Sequence, residues 1–143
     1  MKINQECIRD ILNYLVENLS IEIEETRGSY CSISVLELIH KFEEKYEKED
    51  IVYSINILSE CYFIEGKELE KKTQIIFAMQ EIYNITYRGQ QFYEATKPEN
   101  IWSKTKSIVS KVGIHSLEFI ESIAHDVAVE SAKQAITIMM NQK

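Results

Sequence analysis

Between Asp50 and Lys106 the chain changes its residue pattern four times, and that order limits the folds open to it. Asp50–Tyr62 has helical apolar spacing, with Ile51, Ile55, Leu58 and Tyr62 on one stripe that Val52 and Cys61 broaden. Asp50 is a good N-cap for that helix. Phe63, Ile64, the turn residue Gly66 and the charged Lys67–Lys72 run follow. Gln74–Ile85 then carries Ile75, Ile76, Phe77, Ile82, Tyr83 and Ile85, a strand-like content. The two runs predict a hairpin between Phe63 and Ile85. Thr86 restarts a short helix holding Phe92 and Ala95. Pro98 opens another, with Glu99 in its first turn, where acid is favoured.

The flanking segments fit around this centre. Asn4–Leu19 places Ile8, Ile11, Leu12, Leu15 and Leu19 at three- and four-residue steps, which predicts a helix. Glu22 to Ser29 reads as a polar connection with a turn at Gly28, and Tyr30–Ile33 as one short strand. Ser34 and Glu37 form a capping box for a helix reaching about Lys48 and burying Leu36, Ile39, Phe42 and Tyr46. The outward positions of the Asp50 helix are then Tyr53, Ser54, Asn56, Ile57 and Glu60. Gly113 suits a helix stop. A last helix spans Ser116–Met140, with Leu117, Ile120, Ala124, Val127, Ser131, Ala135 and Ile138 on its stripe and Phe119, Ile123, Ile136 and Met139 widening it. The expected class is α+β: a winged helix-turn-helix over residues 1–97, followed by a helical extension over 98–143 that packs on it or dimerises. That extension supplies two or three additional C-terminal helices.

At Ile85–Tyr93 and Trp102–Lys106 the chain resembles a family of uncharacterised winged-helix proteins from bacteria, prophages and phages, known as a domain of unknown function. Its members typically read Leu-Thr-Trp-x-Gly-His-x-Phe-Leu and Trp-x-Lys-Thr-Lys at the corresponding places. Leu58 to Gly66 resembles the family's helix end, Leu-x-x-Ala-Gly-Leu-Ile-x-Gly. Two departures stand out. The family's helix-ending Gly falls at Tyr62, where a left-handed residue would cost ~1–2 kcal/mol, so a different turn is expected. The family's His falls at Gln90. The resemblance covers roughly residues 1–125 and implies a fold and a mobile-element setting, with no reaction or ligand.

Several function classes lack their signatures. Cys7, Cys31 and Cys61 have no CxxC spacing and read as reduced structural thiols. His40, His115 and His125 make no metal-binding pattern, so neither a metal nor a cofactor is expected. A phosphate-binding glycine loop and a nucleophile elbow are also missing, which argues against catalysis. The first residues lack the apolar core of a signal peptide, and no apolar run approaches the ~18 residues of a membrane span. A cytoplasmic protein with no membrane partner is expected.

Charge divides the remaining readings. Residues 1–70 carry 7 Lys or Arg against 16 Asp or Glu, a net −9, whereas residues 71–143 carry 9 against 7. A DNA-binding or transcription regulator would use Tyr53, Ser54 and Asn56 on the recognition helix, Lys67, Lys71 and Lys72 on the wing, and the strip containing Lys104 and Lys111. That helix has no Lys or Arg after Asp50. The alternative is a protein-binding inhibitor of a host nucleic-acid enzyme, an acidic nucleic-acid mimic. It would use Glu22, Glu24 and Glu25 with Glu43, Glu44 and Glu47. DNA and another protein thus remain alternative partners. A homodimer through Ile120, Val127, Ala135 and Ile138 suits either.

Overall fold

Asn4 starts the first helix. Its side chain accepts from the Cys7 amide at 3.1 Å, and α1 runs over Gln5–Asn18. Cys7, Ile8, Ile11, Leu12 and Leu15 are buried along one face. The computed structural model describes residues 1–142, which divide into two compact units, Met1–Gln90 and the described residues from Gln91 onward. Among the described residues it is a mixed α+β protein with six α-helices and two small antiparallel sheets.

In the first unit α1 is followed by β1 (Ser20–Ile23) and β2 (Gly28–Cys31), paired antiparallel with Ile21 opposite Tyr30. This hairpin replaces the polar connection expected over Glu22–Ser29. Ile21, Ile23 and Tyr30 supply the strand propensity. Their exposure is what masked the signal, because neither face carries a buried set with period two. β3 (Ile33–Ser34) leads into α2 (Val35–Phe42), whose Ser34 hydroxyl accepts from the Glu37 amide at 3.1 Å. α2 ends about six residues before the expected Lys48. The carboxylate of Asp10 on α1 draws the chain out of the helix there: Lys45 donates to it at 2.8 Å and Tyr46 at 2.6 Å.

α3 covers Lys48–Glu60 and takes Glu47 rather than Asp50 as its N-cap. Glu49 and Asp50 instead occupy its first turn, where the helix dipole favours negative charge. The helix ends in a left-handed residue, Tyr62, with φ 60°. Tyr62 thus takes the left-handed conformation that its cost argued against, and its side chain is thrown outward at 75% exposure instead of completing the apolar stripe.

Beyond it, β4 (Ile64–Lys67) pairs antiparallel with β5 (Glu81–Ile85), and β3 joins the other edge of β5, giving the order β3-β5-β4. The second hairpin strand is shorter than the run from Gln74 suggested. Residues 68–80 form a long excursion held by buried Leu69, by Gln80 donating to the Glu68 carbonyl at 2.9 Å, and by a 3-10 turn at Phe77–Met79. A β-bulge at Glu65/Gly66 re-aligns the strands. A Cβ on Gly66 would lie 2.1 Å from the Glu81 carbonyl oxygen, so only glycine fits.

α4 (Tyr87–Thr96) begins with Thr86, and its first turn grips the end of α3. The Thr86 hydroxyl donates to the Tyr62 carbonyl at 2.6 Å and accepts from the Gly89 amide at 3.1 Å. The Thr86 amide donates to the Phe63 carbonyl at 3.0 Å, and Arg88 donates to the Cys61 carbonyl at 3.0 Å. A Cβ on Gly89 would meet the Phe63 carbonyl oxygen at 2.3 Å. The division between the two units falls inside α4, after Gln90.

In the second unit α5 (Glu99–Val112) and α6 (Leu117–Met140) pack on each other across a turn closed by left-handed Gly113. Ile101, Trp102, Thr105 and Val109 are buried on α5, and Leu117, Ile120, Ala124 and Val127 on α6. Trp102 is thus a core anchor, with Lys106 resting 5.8 Å above its ring. Every residue from Ala132 to Gln142 is exposed.

Tyr62→Gly should stabilise the protein by about 0.5–1 kcal/mol, because relief of the left-handed strain exceeds the added unfolded-state entropy. Gly89→Ala should destabilise it by ~2 kcal/mol or more through the clash with the Phe63 carbonyl. Urea unfolding of both variants measures this, and a neutral Gly89→Ala would show that the approach of α4 to α3 is loose.

Candidate functional site

The outer face of α3 does not stand open. α2 presents Leu36, Ile39, His40 and Glu43, and α3 presents Lys48, Glu49, Val52, Tyr53 and Asn56, at spacings that put each set along one side of its helix. Phe77, from the 3-10 turn, closes over them. Together with Met1 they line a groove of about 430 Å³. Connectivity gives it two unlike ends. Glu43, Lys48 and Glu49 gather where α2 turns into α3, whereas the apolar walls of Leu36, Val52 and Phe77 lie away from that turn. Ile76 and Met79, 60% and 59% exposed, flank Phe77.

A second cavity, of about 550 Å³, lies over the α2–α3 turn and shares Glu43, Lys48 and Glu49 with the groove. Glu44, Glu47 and Asp50 line it too. Five acids between residues 43 and 50 face two lysines, and both lysines are engaged. Lys45 sits on Asp10, whose hydrogen bond and charge raise the pKa of its ammonium. Lys48 lies 3.9 Å from Glu43. Burial, and then the hydrogen bond to Asp10, push the Tyr46 hydroxyl up as well, so it stays a neutral donor. The turn is therefore a fixed acidic ridge at one end of an apolar groove.

The residues expected to face DNA separate. Tyr53 and Asn56 line the groove, half-buried. Ser54 does not point outward: it is 2% exposed and lies beside the Cys7 thiol of α1, which donates to the Asp50 carbonyl at 3.8 Å. The buried stripe of α3 is Ile51, Ser54, Ile55 and Leu58, rotated from the expected one because a small polar residue faces α1 and Val52 turns to the groove. Lys67, at the end of β4, is exposed; on the excursion that follows, Lys71 pairs with Glu68 at 2.5 Å and Lys72 with Glu60 at 3.3 Å. Lys104 and Lys111 are exposed on α5, in the second unit.

The acidic candidates fall into two places. Glu22 and Glu24 line a cavity of about 260 Å³ at the β1–β2 hairpin, with Glu24 paired to Arg27 at 3.1 Å, and Glu25 is exposed in the connection. Glu43, Glu44 and Glu47 lie on the α2–α3 ridge.

The candidates for self-association also divide. Ile120 and Val127, 1% and 8% exposed, are buried, because the stripe they share with Leu117 and Ala124 is the one that α6 turns inward. They are not available to a second chain. Ala135 and Ile138 are exposed.

Leu36, His40, Val52 and Phe77 were not singled out from sequence. Leu36 and Val52 read as core, and Phe77 as part of a strand; only the folding-back of the excursion brings it to α2 and α3. Among the described residues no cluster of His, Cys, Asp or Glu could hold a metal ion, and no helix is long and apolar enough to cross a membrane.

These features define a small α+β protein with a helix-walled groove beside an acidic ridge. Residues 2–115 match the family described as Hypothetical protein (DUF2513), and the chain belongs to that family. Comparison with curated proteins and with solved structures returns no match.

The packing beneath α3 has a chemical signature. The Cys7 thiol is fully buried and its pKa is pushed up to about 11, chiefly by burial. A raised thiol pKa contributes stability below the unfolded thiol range, and that contribution is lost as pH rises towards the folded value. At pH 8 Cys7 is therefore protonated and shielded. A thiol reagent such as DTNB should react with Cys31 and Cys61 in the native protein, and with Cys7 only after denaturation. Three equally fast thiols would show that the α1–α3 face opens.

Proposed function

We propose that this chain is a non-catalytic binding protein built on a winged-helix plan, and that its α2–α3 face takes a protein rather than duplex DNA. The order α1, β3, α2, α3, β4, β5, with a β3-β5-β4 antiparallel sheet beside three helices, supports the winged-helix reading. One observation carries the choice of partner. The face of α3 that such folds turn to the major groove is here half-buried in an apolar cleft whose charged end is acidic. Duplex DNA needs cations at that surface to replace its counterions. Lys71 and Lys72 are already engaged by carboxylates. Occupation of a basic channel in a nucleic-acid enzyme is the narrower form of this reading, and a DNA-binding regulator is its rival.

A gel-shift titration against random duplex separates the two. Under the protein-binding reading, the dissociation constant at physiological salt is no tighter than the ~10⁻⁴–10⁻⁶ M of nonspecific binding. Nanomolar binding would favour the regulator.

The exposed end of α6 supports self-association. Val129, Ala132, Ile136, Met139 and Met140 recur at three- and four-residue steps. A helical overhang of this length is marginal in water by itself. Each large apolar side chain that a second copy covers is worth roughly 1.5–3 kcal/mol. Glu130 and Lys133 flank the stripe with opposite charges, which suits an antiparallel pairing of two copies. Light scattering at tens of micromolar should give about twice 16.7 kDa. Ile136→Glu with Met139→Glu should return the mass to 16.7 kDa without lowering the melting temperature of the rest. A monomeric wild type would refute the dimer.

A further inference from the structure

Resting on the protein-binding reading, we propose that the α2–α3 groove receives one helical segment of the partner. That segment is amphipathic, with large aliphatic side chains on one face and Lys or Arg beside them. Its basic end lies over the α2–α3 turn.

Shape argues for a helix. The groove is lined chiefly by two helices, with Phe77 and Met1, and helices bond their main-chain groups internally, so these walls give no edge for an added strand. Leu36 to Glu43 on one wall and Glu49 to Asn56 on the other each span seven residues, roughly 10 Å. That length accepts two turns of helix, with anchors at i, i+3 or i+4, and i+7. Ile76 and Met79, exposed next to Phe77 in sequence, are open to contact with a longer segment.

Charge fixes the direction. Glu43 and Glu49 belong to the groove and the ridge alike, and Glu44, Glu47 and Asp50 continue the acid beyond it. Lys45 is held by Asp10 and turned to that task. A cationic end placed there meets the exposed carboxylates of a turn that Asp10 anchors through Lys45 and Tyr46. An anionic one meets repulsion. The apolar end of the segment then falls against Leu36, Val52 and Phe77.

The test uses the whole chain and fluorescence anisotropy at physiological salt. The probe is a fluorescein-labelled Leu/Lys peptide of about 14 residues, with leucines at i, i+3, i+4 and i+7 and flanking lysines. Two controls accompany it: a scrambled peptide of the same composition and a Leu/Glu counterpart. The helix-patterned Leu/Lys peptide should bind with a dissociation constant in the tens of micromolar or tighter, and both controls about tenfold or more weaker. Val52→Asp, on the half-buried wall, should weaken binding by about tenfold. Glu43→Lys with Glu49→Lys should weaken it about fivefold and flatten its salt dependence. Circular dichroism checks that each variant is folded.

Equal binding of the scrambled peptide, or indifference to Val52→Asp, would overturn the proposal in favour of diffuse attraction to acid. Absence of peptide binding would overturn it too, yet leave a weak duplex shift, and the protein-binding reading with it, standing. A tight duplex complex that the peptide displaces would remove both.

Discussion

Three consecutive main-chain carbonyls, those of Cys61, Tyr62 and Phe63, are held by Arg88 and Thr86, while Gly89 lets the two backbones close up. The first unit depends on this grip. It holds Tyr62 in a left-handed conformation that a bulky L-residue resists, and so sets the angle at which the chain leaves α3. It brings the start of β4 beside the end of β5, where Ile64 faces Ile85. It also supplies the cap of α4 from the same hydroxyl that closes α3. With the exit of α3 fixed, its opposite side is free to face α2 and form a wall of the groove.

Much of this frame was legible as local chemistry. The Ser34 cap, the Thr86 restart, the Gly113 stop and the core positions Ile8, Ile11, Leu12 and Leu15 of α1 depend on residues a few places apart, and the structure has them as the sequence implied. Tyr62 shows where local reasoning misleads. By propensity alone a Tyr should not take the left-handed position, yet contacts with residues 24 to 27 places later outweigh that preference. The early end of α2 has the same origin. No residue near Phe42 demands a stop, and the cause is Asp10, 35 and 36 positions away from its two donors.

The candidate site was harder to read for a related reason. A groove is a relation between elements, and its lining resembled core or strand when taken one element at a time. Val52 fell on the broadened apolar stripe, Ser54 on the polar side, and the structure exchanges them. Phe77 belonged to an apolar run with strand propensity. In the fold that run is interrupted by a 3-10 turn, because Val35 donates its amide to the Gln80 carbonyl and draws the excursion towards α2. The acidic ridge was visible as a charge run; its position at one end of an apolar cleft was not. On α6 the apolar positions were found correctly, but the helix divides along its length as well as around its axis, and periodicity measures only the second.

The Thr86–Gly89 segment touches α3 through carbonyl oxygens and the Phe63 ring, and through none of the side chains at 52, 53 or 56. Those side chains therefore carry no share in holding the helix end. If the groove is the binding surface proposed above, exchange of Val52, Tyr53 or Asn56 would change what it takes while the helix end stays as it is. Selection can act on the two sets separately. Chains that share this latch are then free to diverge in what they recognise, and a common fold among them carries no promise of a common partner.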